Sequence, residues 1–222
     1  IIAPILEGNS EIEHLLKLKM LNYPFVLLAD VKGITANVVE IDNKRAIKKA
    51  VEYLINNGHK KIIHFAGPPE SAHTKERIDG FHDAIDESGL VFNKEMIIHI
   101  GAHNEVSYEK TVKYFKNRNR KDYPTAVVCF NDLQALAVME ALKDLNIKVP
   151  KDISIIGNDD IHCAGIYSMP FTTIKSPQIE IGQKAAEILI RNIESPNLIP
   201  IERIVLDTEL IILKSTRRMN KK

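Results

Sequence analysis

The sequence of 222 residues has no tryptophan, only two cysteines, and no excess of charge of one sign: 30 basic and 29 acidic residues nearly cancel. The balance leaves no bulk field to draw the chain to nucleic acid, to an anionic membrane or to acidic substrates. Cys129 and Cys163 do not form a CxxC pair. A buried, reduced thiol is the expectation for them, with a single disulfide left open. No apolar run approaches the ~18 to 20 residues needed to cross a bilayer, and no basic-then-apolar leader opens the chain, so no membrane partner is expected. Gly/Ser-rich linkers, low-complexity segments and internal repeats are also missing.

What is there is a chain with 45% hydrophobic side chains, enough for one large domain or two compact lobes. The opening run IIAPIL reads as a buried strand that needs neighbours, and with no initiating methionine the chain is expected to be a fragment of a longer protein. Apolar strands are predicted at 24–29, 61–66, 96–100, 125–130 and 153–157, each followed by a helical pattern, which is the rhythm of parallel α/β units. Ala46, Ile47, Ala50, Val51, Leu54 and Ile55 line one face of a predicted helix over 43–57 that stops at Gly58. Ile78, Phe81, Ala84 and Ile85 repeat the pattern before Gly89, and a third long helix spans 178–193, closed by Ser195 and Pro196. Asn131 and Asp132 stand where a short oxygen-bearing side chain caps the helix LQALAVMEALKDL. Two further strand-like runs, 203–206 and 209–213, are followed by the basic tail KSTRRMNKK, expected to be loose and solvated and not a phosphate site.

Several chemistries fail on residue type. The loop GPPESAHTKERIDG lacks the glycine before Lys75 and the Ser or Thr after it that a phosphate loop requires, and no GxGxxG occurs. His99 and His103 have a ligand-like spacing, but they straddle Gly101 at a strand end, so no metal is expected. No GxSxG marks a nucleophile. What remains is a set of polar residues just after strands: Asp30, His73 to Arg77, His103, Asn131 with Asp132, and Asn158 to Asp160. In an open α/β sheet these strand ends can converge beyond the carboxyl edge. Asp, Asn and Arg together satisfy the hydroxyls of a polyol, whereas several carboxylates repel an anion. Helix caps, turn formers and surface ion pairs remain equal alternatives for each residue alone.

The ordered segments EIDNKRAIKKAVEYLINNGHKKIIHFAGP, ERIDGF, PTAVVCFNDLQALAVMEALKDLNIKVPKDISIIGNDD and TTIKSPQIEIGQKAAEILI resemble the effector-binding core of the LacI/GalR family of bacterial transcription regulators. The resemblance implies a periplasmic-binding-protein-like fold of class α/β, with two lobes of parallel sheets flanked by helices and a ligand cleft between them. It places residues 1–40 and 173–202 in a partial N-terminal lobe and 41–172 with 203–213 in a C-terminal lobe. A DNA-binding head, absent from this sequence, is expected ahead of them. It also implies effector contacts at Asp30, Arg77, Asn131 and Asp159, with His73 and His103 at positions where a small hydroxyl residue and an aromatic side chain are common. Asp160 is expected to cap or brace the turn, and Asn158 to tune effector preference. The expected protein is a cytoplasmic, homodimeric repressor that senses a small sugar or sugar derivative, binds operator DNA through its head and needs no cofactor. The Lys-rich helix and the end IILKSTRRMNKK are similar to arabinose-type repressors with a GntR-type head. A sugar-binding component of a periplasmic transport system remains the alternative, and an acid-pair hydrolase using Asp159 and Asp160 lacks an accompanying base, nucleophile or metal set.

Overall fold

The computed structural model describes residues 1–4, 12–102, 104–161, 170–195 and 200–219. His103, Cys163, Pro196, the end of IIAPIL and the last three residues of the tail therefore lie outside the described residues. In chain order the first elements are α1 (Glu13–Met20), β1 (Val26–Leu27), β2 (Asn37–Ile41), α2 (Asn43–Asn56), β3 (Ile62–Ala66), α3 (Ala72–Glu87), β4 (Ile97–His99) and α4 (Asn104–Lys116). They are followed by β5 (Ala126–Cys129), α5 (Asp132–Asp144), β6 (Ser154–Asp159), β7 (Thr172–Lys175), α6 (Gln178–Glu194), β8 (Arg203–Leu206) and β9 (Glu209–Ile211).

Two compact units result, one of residues 1–42 with 177–208 and one of 43–176 with 209–222. The smaller unit has a parallel sheet in the order β1-β2-β8, extended by a bridge from Ile2 to Leu27. One side of this sheet packs Val26 and Val39 against Ala185 and Ile188 of α6, and the other packs Leu27 and Val38 with Leu15 of α1. The larger unit has a six-stranded sheet in the order β4-β3-β5-β6-β7-β9, parallel except for β9. Alternate residues of β3 and β5 serve opposite faces. Ile62, Ala126 and Val128 join α2 and α3, whereas Ile63, Phe65, Val127 and Cys129 join α4 and α5 around Phe115. Burial on both faces explains why these strands read as unbroken apolar runs.

The structure moves two strands across the expected lobe boundaries. β7 stays with the larger unit because it pairs along β6, and β8 belongs to the smaller unit because residues 203–206 pair in register with 38–41 of β2. The tail is also not loose over its described part. Ser215 is fully buried, donates to Ile155 O (2.6 Å) and accepts from Thr172 N (2.7 Å). Arg217 N donates to Ser154 Oγ (3.1 Å), and Met219 N donates to Asn57 O (2.8 Å). Backbone groups at the start of β6 and β7 are thereby satisfied, which a solvated tail would not do.

Gly80 shows how the fold prepares its site. A Cβ there would stand 2.0 Å from Lys44 O, so only glycine lets α3 lie against the first turn of α2. Arg77, three residues earlier on the same face of α3, is thereby brought to Asn43.

Candidate functional site

The carboxyl ends of β3, β5 and β6 carry most of the predicted site. Arg77 is 7% exposed, donates from Nε to Asn43 Oδ1 (3.0 Å) and from Nη1 to Phe130 O, and lays its guanidinium over the Phe130 ring at 4.4 Å. Asn43 Nδ2 donates to Glu76 Oε2 (3.0 Å) and meets His73 Nδ1 (3.1 Å), which leaves the proton of a neutral His73 on Nε2. Burial lowers the Arg77 guanidinium from its ordinary range, against the opposing pull of Asp159, Glu76 and Asp132. Burial likewise pushes the Asp159 carboxyl up, while Arg77, the Asn158 amide and His73 pull it down. Arg77, Asp159 and Asp132 are thus close enough for their charges to act on one another.

Asn158 and Asp159 form an adjacent pair. Asn158 is fully buried and donates from Nδ2 to Asp159 Oδ1 (2.6 Å), and its Oδ1 has no hydrogen-bond partner among the described residues. Asp159 and Asp160 have φ of 126° and 56°, two consecutive non-glycine residues in the left-handed half of backbone space. Such conformations cost of order 1–3 kcal/mol each and concentrate at binding sites.

The brace expected of Asp160 comes, among the described residues, from Asp132. Its Oδ1 accepts from Thr173 Oγ1 (2.6 Å) and its Oδ2 from Ile161 N (2.9 Å), joining the start of α5 to β7 and to the segment after β6. Burial raises this carboxyl to about 6, with Thr173 and Ile161 opposing the shift. Gly157 makes room for it, since a Cβ there would stand 2.1 Å from Asp132 Oδ1.

Asn131 caps α5 as anticipated, its Oδ1 accepting from Gln134 N (2.8 Å) and its Nδ2 donating to Ala102 O (3.4 Å). Gln134 is fully buried. It accepts from Phe130 N (2.8 Å) and donates to Gly101 O (2.5 Å) and Ala66 O (3.4 Å), so one side chain pins the ends of β3, β4 and β5. Neither Asn43 nor Gln134 was singled out from the sequence; the visible signal for Gln134 was an amide inside the otherwise apolar stripe of LQALAVMEAL.

Asp30 lies in the smaller unit. Its backbone N–H donates to Glu40 Oε2 (3.0 Å), and its carboxylate stands 3.7 Å from Arg203 Nη1. Arg203 also holds the buried Glu40 at 2.6 Å. A separate cavity of about 370 Å³, lined by Tyr23, Phe25, Asn37 and Ile193 among others, opens at the other end of β1 and β2 and involves none of the predicted residues. No group of three or more potential metal ligands occurs among the described residues, and His99 Nδ1 donates to Gly67 O (2.7 Å).

Compared with known families, residues 51–216 match the periplasmic binding protein-like domain. The chain belongs to that family. Within it, this periplasmic-binding-protein-like domain is of the LacI/GalR effector-binding type. It is 37% identical over 173 residues to the HTH-type transcriptional repressor PurR of Photobacterium profundum, an alignment that covers 77% of this chain and 50% of that protein. The chain spans about half the length of the curated relatives it matches. Among solved structures it is similar to a LacI-family regulatory protein of Chloroflexus aggregans, with a TM-score of 0.82 and 26% identity, covering 95% of this chain and 74% of that one. It is also similar to a sugar-binding LacI-family regulator of Escherichia coli solved with phosphate, with a TM-score of 0.80 and 25% identity over 98% and 76% of the two chains. The resemblance drawn from the sequence segments and the α/β architecture they implied are both met in the domain's structure and relatives.

Proposed function

We propose that this domain senses a small neutral sugar or sugar derivative on behalf of a DNA-binding transcriptional repressor. The observation that carries the reading is the polar set at the strand ends of the larger unit, where the charges of buried Arg77 and half-buried Asp159 act on each other and Asn158 donates to the Asp159 carboxylate at 2.6 Å. A guanidinium and a carboxylate held in one desolvated corner offer a fixed donor fork and an acceptor, which suits vicinal hydroxyls and penalises a ligand that lacks them. Asn131 stands at the same strand ends, and the family resemblance assigns effector contacts to Asp30 and His103 as well. No bond is made or broken. Binding shifts the arrangement of the domain, and coupling of about 1 to 3 kcal/mol is enough to change affinity for operator DNA held by a separate head. The whole repressor works in the cytoplasm as a homodimer.

Titration calorimetry with a panel of neutral aldopentoses and aldohexoses tests the reading. One sugar should bind the parent, and Asp159→Asn and Arg77→Lys should each weaken it at least tenfold, with a smaller loss for Asp30→Ala. The site assignment is wrong if no neutral sugar binds, or if the Asp159 and Arg77 variants bind as well as the parent.

A further inference from the structure

The opposite end of the six-stranded sheet carries a feature that sugar sensing does not use. Ile62, Ala126 and Ser154 stand in register on neighbouring strands, so the segments leading into β3, β5 and β6 meet at one edge of the larger unit. Lys60 and Lys61 precede β3, and Lys61 Nζ donates to Lys121 O (2.9 Å). Lys116, Arg118, Arg120 and Lys121 occupy the stretch from the end of α4 to β5, and Arg120 Nη2 donates to Asn146 O (3.3 Å) in the loop that leads toward β6. That loop adds Lys148 and Lys151, and all eight of these cations are exposed. The tail crosses the same edge. His59 Nε2 meets Arg217 O at 3.0 Å, which fixes Arg217 and Arg218 there, and Arg217 Nε is buried without a hydrogen-bond partner.

We propose that this edge is a binding face for the phosphate backbone of nucleic acid, without sequence preference. Among the described residues no salt bridge neutralises any of these cations, whereas Lys44 and Lys48 on α2 are paired with Asp83 and Glu87 at 2.8 and 2.7 Å. Four acids share the neighbourhood: Glu95 just before β4, whose charge acts on the Tyr114 ring under Arg118; Asp122; Asp144, which accepts from Tyr108 OH (2.7 Å); and Asp152, which accepts from Lys148 N (2.8 Å). They leave the edge strongly basic in a chain whose net charge is only +1. Among the described residues, the segments 59–61, 116–123, 146–152 and 214–219 contribute none of the large exposed apolar side chains; the nearest, Ile212 and Leu213, lie to one side, at the start of β7. A protein partner would need aromatic or aliphatic anchors at the centre of its contact. Scattered lysine and arginine with no apolar anchor among them instead match phosphates, whose counterions are released on binding.

The test is fluorescence anisotropy of a short labelled DNA duplex of arbitrary sequence with this chain, between about 50 and 200 mM salt. The parent should bind at low salt with a dissociation constant of about 10⁻⁵ M, and log K should fall with log salt at a slope of about −3 to −4, as four phosphate contacts give. The combined variant Lys60→Glu, Lys116→Glu, Lys121→Glu, Lys151→Glu, all four at exposed positions, should lose more than tenfold while melting at the parent temperature. Lys44→Gln with Lys48→Gln, which removes two cations from α2, should stay within twofold of the parent. The proposal is overturned if the duplex does not bind at the lowest salt, if the two combined variants lose equally, or if polyglutamate binds where the duplex does not. The readout contains no sugar, so it succeeds or fails independently of the sensing role.

Discussion

At the carboxyl end of the six-stranded sheet polar side chains are buried and hydrogen-bonded, Gln134 across three strand ends and Asp132 to β7 and Ile161; at the amino end the cations are exposed and, among the described residues, form no ion pairs. The difference teaches where this unit invests its stability. A buried polar group left unpaired costs far more than an exposed charge returns. The first end should therefore be rigid and intolerant of change, and the second free to vary for binding alone.

The sharpest way to break the contrast is Gly157→Ala. Its methyl would stand 2.1 Å from Asp132 Oδ1 and 2.7 Å from Phe171, so a loss of about 3 kcal/mol in urea unfolding is expected. Next comes Gln134→Leu, which strands Phe130 N–H and the Gly101 carbonyl and should cost about 2–3 kcal/mol by the same measurement.

Protonation sharpens the comparison further. The Asp132 carboxyl is raised from 3.8 to about 6, so its favourable contribution is complete below pH 3.8 and is lost as pH rises through 6. His64, fully buried with Nδ1 donating to Val128 O (2.9 Å), is lowered from 6.5 to about 4, so its contribution is complete above pH 6.5 and is lost as pH falls through 4. Each spans about two pH units, or about 3 kcal/mol, and the two slopes oppose. Parent stability should vary little between pH 4 and 6.5, whereas Asp132→Asn should become steeply less stable on acidification. Equal pH profiles for the two proteins, followed by denaturant melts, would count against this balance. The smallest effect belongs to the amino end, where Lys60→Ala should shift stability by no more than about 0.5 kcal/mol.

The parts of this structure that were legible in the sequence are those whose burial is apolar. β5 and β6 announce themselves as unbroken runs, and α2 by its stripe. α4 was expected after its strand but given neither bounds nor a face, because its inner side includes Ser107 and Thr111, both fully buried, which dilute the helical period. β2 hid behind Glu40, a buried carboxylate legible only once Arg203 of β8 is known to hold it, and β7 behind Thr172 and Thr173. The candidate site divides the same way. Strand-end placement picked out Arg77, Asn131 and Asp159, but Asn43 and Gln134 act through partners more than thirty residues away, at Arg77, Gly101 and Ala66, and periodicity carries no trace of such pairs.

Each unit is assembled from two separated stretches of chain, and this bears on how the protein emerges from the ribosome. The small sheet cannot gain its third strand before residues 203–206 are made, and the large sheet lacks both β9 and the Ser215 latch until residues 209–215 follow. Domains usually fold in the order in which they are synthesised. Here both units wait on the short stretch from 203 to 215, the smaller for β8 and the larger for β9 and Ser215.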